Sequence, residues 1–241
     1  MSKKVINQNT NYDLEFLNSI GSNFIFQEKP INRLKNKPQN LKNQSNVEET
    51  DKEKQLVLLK EQINLVENCS LKANATNMVF SDGNPKSKIM LIGEAPGLNE
   101  DQEGLPFVGR AGSLLDKMLA SINLDRKNVY ISNIINYRPP ENRRPTDEEM
   151  SRYLPFVKKH VEIIAPKILV LLGSTAMNAI IGNDVVISKV RGKWIEKEFG
   201  QLRTSVIVTF HPAFLMRQPT QKKLAWVDLK MIRDKKVKLK I

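Results

Sequence analysis

The stretch Ile89–Gly112, IMLIGEAPGLNEDQEGLPFVGRAG, restricts the possible folds of this chain more than any other. Four apolar residues, Ile89 to Ile92, stop at Gly93 and give way to a loop punctuated by Pro96, Gly97, Gly104, Pro106 and Gly109. The loop enters Leu114, Leu115, Met118, Leu119 and Ile122, spaced as one face of a helix. Strand, Gly-rich loop, helix is how an open α/β sheet places a site at its carboxyl edge. The same pattern recurs. Val129–Ile135 is apolar except for Ser132 and Asn133, Ile168–Leu172 meets Gly173-Ser174 and a short helix through Ile181, and Ser205–Phe210 ends at His211-Pro212. Thr146 with Glu149 starts a capping-box helix running to about Ile164, with Pro155 kinking it or lying near its first turns. A last helix runs from about Gln221. Four apolar strands alternating with helices predict an α/β fold with a central four-stranded, mostly parallel sheet between helix layers. Gly93, Asn133, Gly173 and His211 then fall near one edge.

The loop after Ile92 is neither of two common phosphate loops. It lacks G-x-x-x-x-G-K-[ST] and it lacks G-x-G-x-x-G. It carries Glu94, Glu100 and Asp101, which repel a nucleoside triphosphate without a metal, so its ligand should be one that a carboxylate helps to react.

Residues 1–50 hold ten asparagines, many lysines and few apolar side chains, which predicts a disordered, basic extension. An island at Leu14, Phe16, Leu17, Ile20 and Phe24–Phe26 is the exception. From Asp51 onward, Leu56, Leu59, Ile63 and Val66 recur at helical spacing, so residues 51–241 are expected to form the folded domain. The net charge of +12 and pI near 9.7 suit a polyanionic partner or a membrane surface, and an AT-rich genome would give the same bias. A single cysteine, Cys69, excludes an internal disulfide framework and a multi-thiolate metal site within one chain. No apolar run reaches membrane-spanning length and the amino terminus has no signal-peptide core, so a cytoplasmic protein is expected; it is read as a monomer.

GEAPG followed by Glu100-Asp101, then GLPFVGRAG, VYISN, RPPENRRP and FHPAFLMR, in that order between about Leu56 and Arg233, resemble the family 4 uracil-DNA glycosylases. The resemblance implies a three-layer α/β/α fold and hydrolysis of the N-glycosidic bond of deoxyuridine in DNA, releasing uracil and leaving an abasic site for base-excision repair. It implies Glu94 as the principal catalytic residue, orienting or deprotonating water, and Phe107 as the ring stacked on the flipped base; an isolated phenylalanine would read as core. Asn133 offers a donor and an acceptor side by side for O4 and N3–H of uracil, or caps its own strand. His211 would donate to O2 as negative charge develops there, or is a turn histidine before proline. Gly93 and Ala95 complete the base site. Glu100 either excludes the thymine methyl beside C5 or is a solvated loop carboxylate. Arg110, Arg138, Arg143, Arg144 and Arg217 are candidate phosphate contacts. Leu215 and Met216 are either the wedge that fills the gap left by the base or core residues.

The match breaks at the [4Fe-4S] cluster the family usually holds. Its ligand positions correspond to Val66, Cys69, Tyr137 and Tyr153, and one thiolate is too few for such a cluster. The expectation is a protein without cofactor, acting on uracil-containing DNA; the alternative is a DNA-binding module that kept the fold and lost turnover. Relatives that bond covalently to abasic DNA depend on a histidine in a basic loop, and NYRPPENRRPT has none.

Overall fold

A computed structural model of the chain describes residues 44–67, 69–182 and 185–241. The apolar island at Leu14–Phe26 and the rest of residues 1–43 lie outside them. Helix α1 (Gln44–Asn64) begins ahead of Asp51 and buries Leu56, Leu59 and Ile63, one stripe at helical spacing. After the short α2 (Ser70–Asn74) and the two-residue β1 (Asp82–Gly83) comes β2 (Ile89–Gly93), buried throughout. The central loop contains α3 (Leu98–Glu103) and leads into α4 (Arg110–Ala120). Next are β3 (Tyr130–Asn133), α5 (Asp147–Ile164), β4 (Ile168–Leu172), α6 (Ser174–Ile180) and α7 (Ile187–Val190). A hairpin of β5 (Trp194–Phe199) and β6 (Leu202–Thr209) precedes α8 (Pro212–Arg217) and α9 (Lys222–Leu239). Thr146 caps α5 as its sequence predicts: its hydroxyl accepts from the Glu149 amide at 3.2 Å while the Glu149 carboxylate accepts from the Thr146 amide at 2.8 Å. Pro155 lies inside that helix without ending it.

Alternation along the strands sets the layers. Successive side chains leave opposite faces of a sheet, and here both faces are apolar, so the sheet is covered twice. Met90, Ile92, Leu169, Leu171, Val206 and Val208 pack with side chains of α1, α5 and α6. Ile89, Leu91, Ile131, Val170, Leu172 and Ile207 pack with α4, α8 and α9. This is the expected three-layer α/β/α arrangement. Among the described residues no helix is long and apolar enough to cross a membrane.

The sheet has six strands, in the order β1-β3-β2-β4-β6-β5, where sequence predicted four. The inner four are parallel, and β1 and β5 are antiparallel edges. The edge strands escape sequence reading for a physical reason. β5 runs Trp-Ile-Glu-Lys-Glu-Phe and stays half-exposed over most of its length, while β1 is only the two residues Asp82-Gly83. Chain order reverses around β2, with β3 on one side and β4 on the other. The chain leaves β2 toward α4 on one face and leaves β4 toward α6 on the other, which makes the carboxyl ends of these two strands the switch point where open α/β sheets bind ligands.

Candidate active site

Four side chains meet along this edge in the order of their strands: Asn133 ends β3, Glu94 follows β2, Thr175 opens α6 after β4, and His211 follows β6. Glu94, Ala95, Glu100, Phe107, Asn133 and His211 line one cavity of about 190 Å³. A wider hollow of about 500 Å³ shares Glu94, Ala95 and His211 with it and adds Arg144, Ser174, Phe210 and Arg217.

The backbone at Glu94 is fixed because the Ile134 and Ile135 amides donate to Gly93 and Glu94 carbonyls at 3.0 and 3.1 Å, extending the β2–β3 ladder past its end. The Thr175 hydroxyl donates to Oε2 of Glu94, bridging the switch point and fixing the carboxylate with its other oxygen free of the threonine. At the end of β3 the polar pair divides. Ser132 is satisfied, donating to the Phe80 carbonyl at 2.8 Å, whereas Asn133 Oδ1 is buried with no hydrogen-bond partner. An orphaned acceptor costs roughly 1–3 kcal/mol, a cost that a donor from a ligand would remove.

Phe107 is buried yet sits at φ +57, the left-handed region, which is unfavourable by roughly 1–2 kcal/mol for a residue with a Cβ. Two glycines make room for it. A Cβ on Gly93 would come within 2.5 Å of the Phe107 ring and 2.4 Å of Asn133 Oδ1, and a Cβ on Gly112 would land 1.6 Å from the Phe107 carbonyl oxygen. The Phe107 ring stands 5.5 Å from that of His211, tilted by 31°. Glu100 closes the loop beneath: its two oxygens accept from the Gly97 and Gly109 amides at 3.1 and 2.8 Å. It is therefore a clamp on the loop backbone as well as part of the cavity wall, and not a freely solvated carboxylate.

His211 is held by its own turn. The Ala213 amide donates to Nδ1 at 3.1 Å, so the neutral ring carries its proton on Nε2 and is a donor there. Burial, with the Arg217 charge adding to it, pushes its pKa down to about 4, so the ring is neutral near pH 7. The edge thus holds a carboxylate, an unpaired amide acceptor, an aromatic wall and a neutral N–H donor around one small space. That set can bind a planar, polar-edged ring and stabilise negative charge on it.

Not every expected residue joins this set. Arg144 and Arg217 line the wider hollow and Arg143 the smaller one. Arg110 is exposed on the first turn of α4 and lines neither, and Arg138 is linked to them only through Asn142, whose Oδ1 accepts from its Nε at 2.8 Å. Leu215 is 1 % exposed and packed in the core layer with α4 and α9, which corrects the wedge expectation: a side chain enclosed there does not reach a duplex. Thr175 and Asn142 were missed, since a threonine in GSTAMN and an asparagine in PPENRR have no local pattern that separates them from an ordinary helix start or turn.

Two of the cluster positions, Tyr137 and Tyr153, are buried, while Val66 and Cys69 are half-buried and line a surface hollow of about 880 Å³. Tyr153 is buried with its hydroxyl 3.3 Å from Cys69 Sγ, and the buried Tyr137 donates to Asn64 Oδ1 at 3.0 Å. Burial pushes both phenols up, so they stay protonated. One thiol, two engaged phenols and a valine do not fit a four-thiolate cluster.

A model of the uracil DNA glycosylase superfamily matches residues 80–230. Similar curated proteins include the Type-4 uracil-DNA glycosylase of Sulfurisphaera tokodaii, 40% identical over 181 residues, which are 73% of this chain and 82% of the relative. That of Thermotoga maritima is 41% identical over 69% of this chain and 85% of its own, and that of Archaeoglobus fulgidus 41% identical over 68% and 84%.

Proposed function

The chain belongs to the uracil DNA glycosylase superfamily, and on that premise we propose that it hydrolyses the N-glycosidic bond of deoxyuridine in DNA, releasing uracil and leaving an abasic site for repair. The observation that carries this reading is the buried, unpaired Oδ1 of Asn133 in a cavity walled by Phe107 and His211. Uracil offers N3–H to that acceptor and O4 to the amide nitrogen. Cytosine has an acceptor at N3 and would set two acceptors face to face, at a cost of about 1–3 kcal/mol.

The chemistry follows from the same side chains. The nucleotide is flipped out of the stack, at a cost of a few kcal/mol, and its base stacks on Phe107. As the C1′–N1 bond breaks, its electron pair moves into the ring and onto O2, where the Nε2–H of neutral His211 donates a hydrogen bond. Glu94, held by Thr175, faces the electron-poor sugar and takes the proton of the water whose oxygen adds to C1′. Glu100, fixed by two amides, stands where a methyl on C5 would be excluded. Arg144 and Arg217 at the rim supply positive charge for phosphates, while the Arg143 guanidinium is paired with both oxygens of Glu149. The protein acts in the cytoplasm as a monomer.

The enzyme works without an iron–sulfur cluster, because its cluster positions supply one thiol. Purified protein is expected to contain far less than one iron per chain and to keep its activity after chelation. Stoichiometric iron with acid-labile sulfide would overturn this. The activity is tested with single- and double-stranded oligonucleotides carrying one uracil, followed by alkali. Strand breaks that disappear in Glu94→Ala are expected; tight binding without breaks by the wild type would replace the enzyme with a binding module.

A further inference from the structure

Phe107 holds a conformation that its own residue type disfavours, and the groups that hold it lie outside the cavity. Arg126, half-buried in the loop before β3, donates through Nη1 to the Pro106 carbonyl at 3.1 Å and through Nη2 to the Phe107 carbonyl. The guanidinium is itself fixed from two directions, by Asp82 of β1 at 2.5 Å and Asp116 of α4 at 2.9 Å. Burial alone would weaken its charge and the two aspartates more than offset this, so the side chain stays cationic. Gly112 closes the other side of the Phe107 carbonyl, which leaves the turn one position to occupy.

We propose that Arg126 is a positioning residue for base recognition, whose planar fork locks the left-handed turn at Phe107 and so keeps the stacking ring opposite His211. The proposal rests on the uracil-excision reading above. A lysine offers one point charge in place of the fork and cannot bridge two carbonyls and two carboxylates at once. Without the fork Phe107 relaxes to negative φ, and its ring leaves the wall of the cavity.

The test is a double-mutant cycle read in single-turnover excision of uracil from an oligonucleotide. Arg126→Met is expected to slow excision by about tenfold to a hundredfold, the range found when a remote change misplaces a reacting group. Phe107→Ala slows it as well, and adding Arg126→Met to Phe107→Ala is expected to cost no more than about twofold further, because the brace then has nothing to hold. The salt dependence of oligonucleotide binding stays at its wild-type value, since the Arg126 guanidinium is taken up by Asp82, Asp116 and two loop carbonyls. Asp82→Asn, which loosens the brace and leaves the arginine in place, gives a smaller slowing with the same dependence on Phe107. Wild-type rates in Arg126→Met, or an equal cost with and without the Phe107 ring, would overturn the assignment while leaving uracil excision intact. A wild-type protein that leaves uracil in place would overturn the functional reading and this inference with it.

Discussion

Asn133 and Tyr153 are both buried polar side chains, and the molecule treats them in opposite ways. Tyr153 has its hydroxyl against Cys69, and Tyr137 is hydrogen-bonded to Asn64, so the polar groups where relatives' ligands would lie are engaged with one another. Asn133 is left with an unpaired oxygen, next to a phenylalanine in left-handed backbone and a carboxylate held at its base by one threonine. The difference is one of purpose. A corner that only supports the fold is most stable when every donor and acceptor is used internally, whereas a binding edge keeps donors and acceptors in reserve for its ligand. Substitutions at the edge should therefore cost activity and spare stability, and those in the corner should do the reverse.

The largest expected effects are at the edge. Glu94→Ala should lower single-turnover excision by about 10²–10⁴-fold, and His211→Ala by about 10²–10³-fold, with melting temperatures close to wild type. Rates within threefold of wild type would dissolve the contrast. Asn133→Ala comes next, with a loss of about tenfold to a hundredfold from its missing hydrogen bonds to the base. Urea denaturation should show it no less stable than the parent, because the orphaned oxygen has gone; a clear destabilisation would mean that Asn133 belongs with the supporting groups.

Acid sharpens the comparison with one histidine in each region. His160, stacked 4.6 Å from Phe80 and bonded to Tyr130 at 2.8 Å, lies among the supporting groups, and burial pushes its pKa down to about 3; that of His211 at the edge is about 4. An unfolded histidine titrates near 6.5, so well above that pH neither ring makes stability depend on pH. Between about pH 6.5 and 4 the unfolded chain takes up protons that the folded protein refuses, and each histidine removes roughly 1.4 kcal/mol of stability per pH unit. Urea titrations at several pH values should show a shallower decline for His160→Gln than for wild type, with excision near pH 7 unchanged. Identical slopes would show that His160 takes up its proton in the folded state. The smallest effect is expected for Tyr153→Phe, about 1 kcal/mol of stability from one lost hydrogen bond with wild-type excision. A tenfold slower enzyme would make that corner part of the site.

Much of this architecture was legible because parallel strands buried on both faces read as unbroken apolar runs, as Ile89–Ile92 and Ile168–Leu172 do. The edge strands were not, because a half-exposed strand such as β5 mixes Glu and Lys with Trp and Phe and resembles a loop. Glu94, Asn133 and His211 could be placed at one rim from their positions at strand ends. Thr175 and Arg126 could not, because each acts on a residue far away in sequence: Thr175 on Glu94 across the switch point, Arg126 on Phe107 from the far end of a helix. Leu215 shows the same limit from the other side, since its helix turns it inward and only its packed neighbours say so.

By itself the sequence determined the strand–loop–helix order, the edge on which the site lies and the chemical types gathered there, because periodicity and strand ends are local properties of the chain. Only the tertiary structure decided which of those groups are satisfied and which are left open. Whether a buried oxygen has a donor, or a strained turn a brace, depends on partners brought close from distant segments, and no local pattern records who they are.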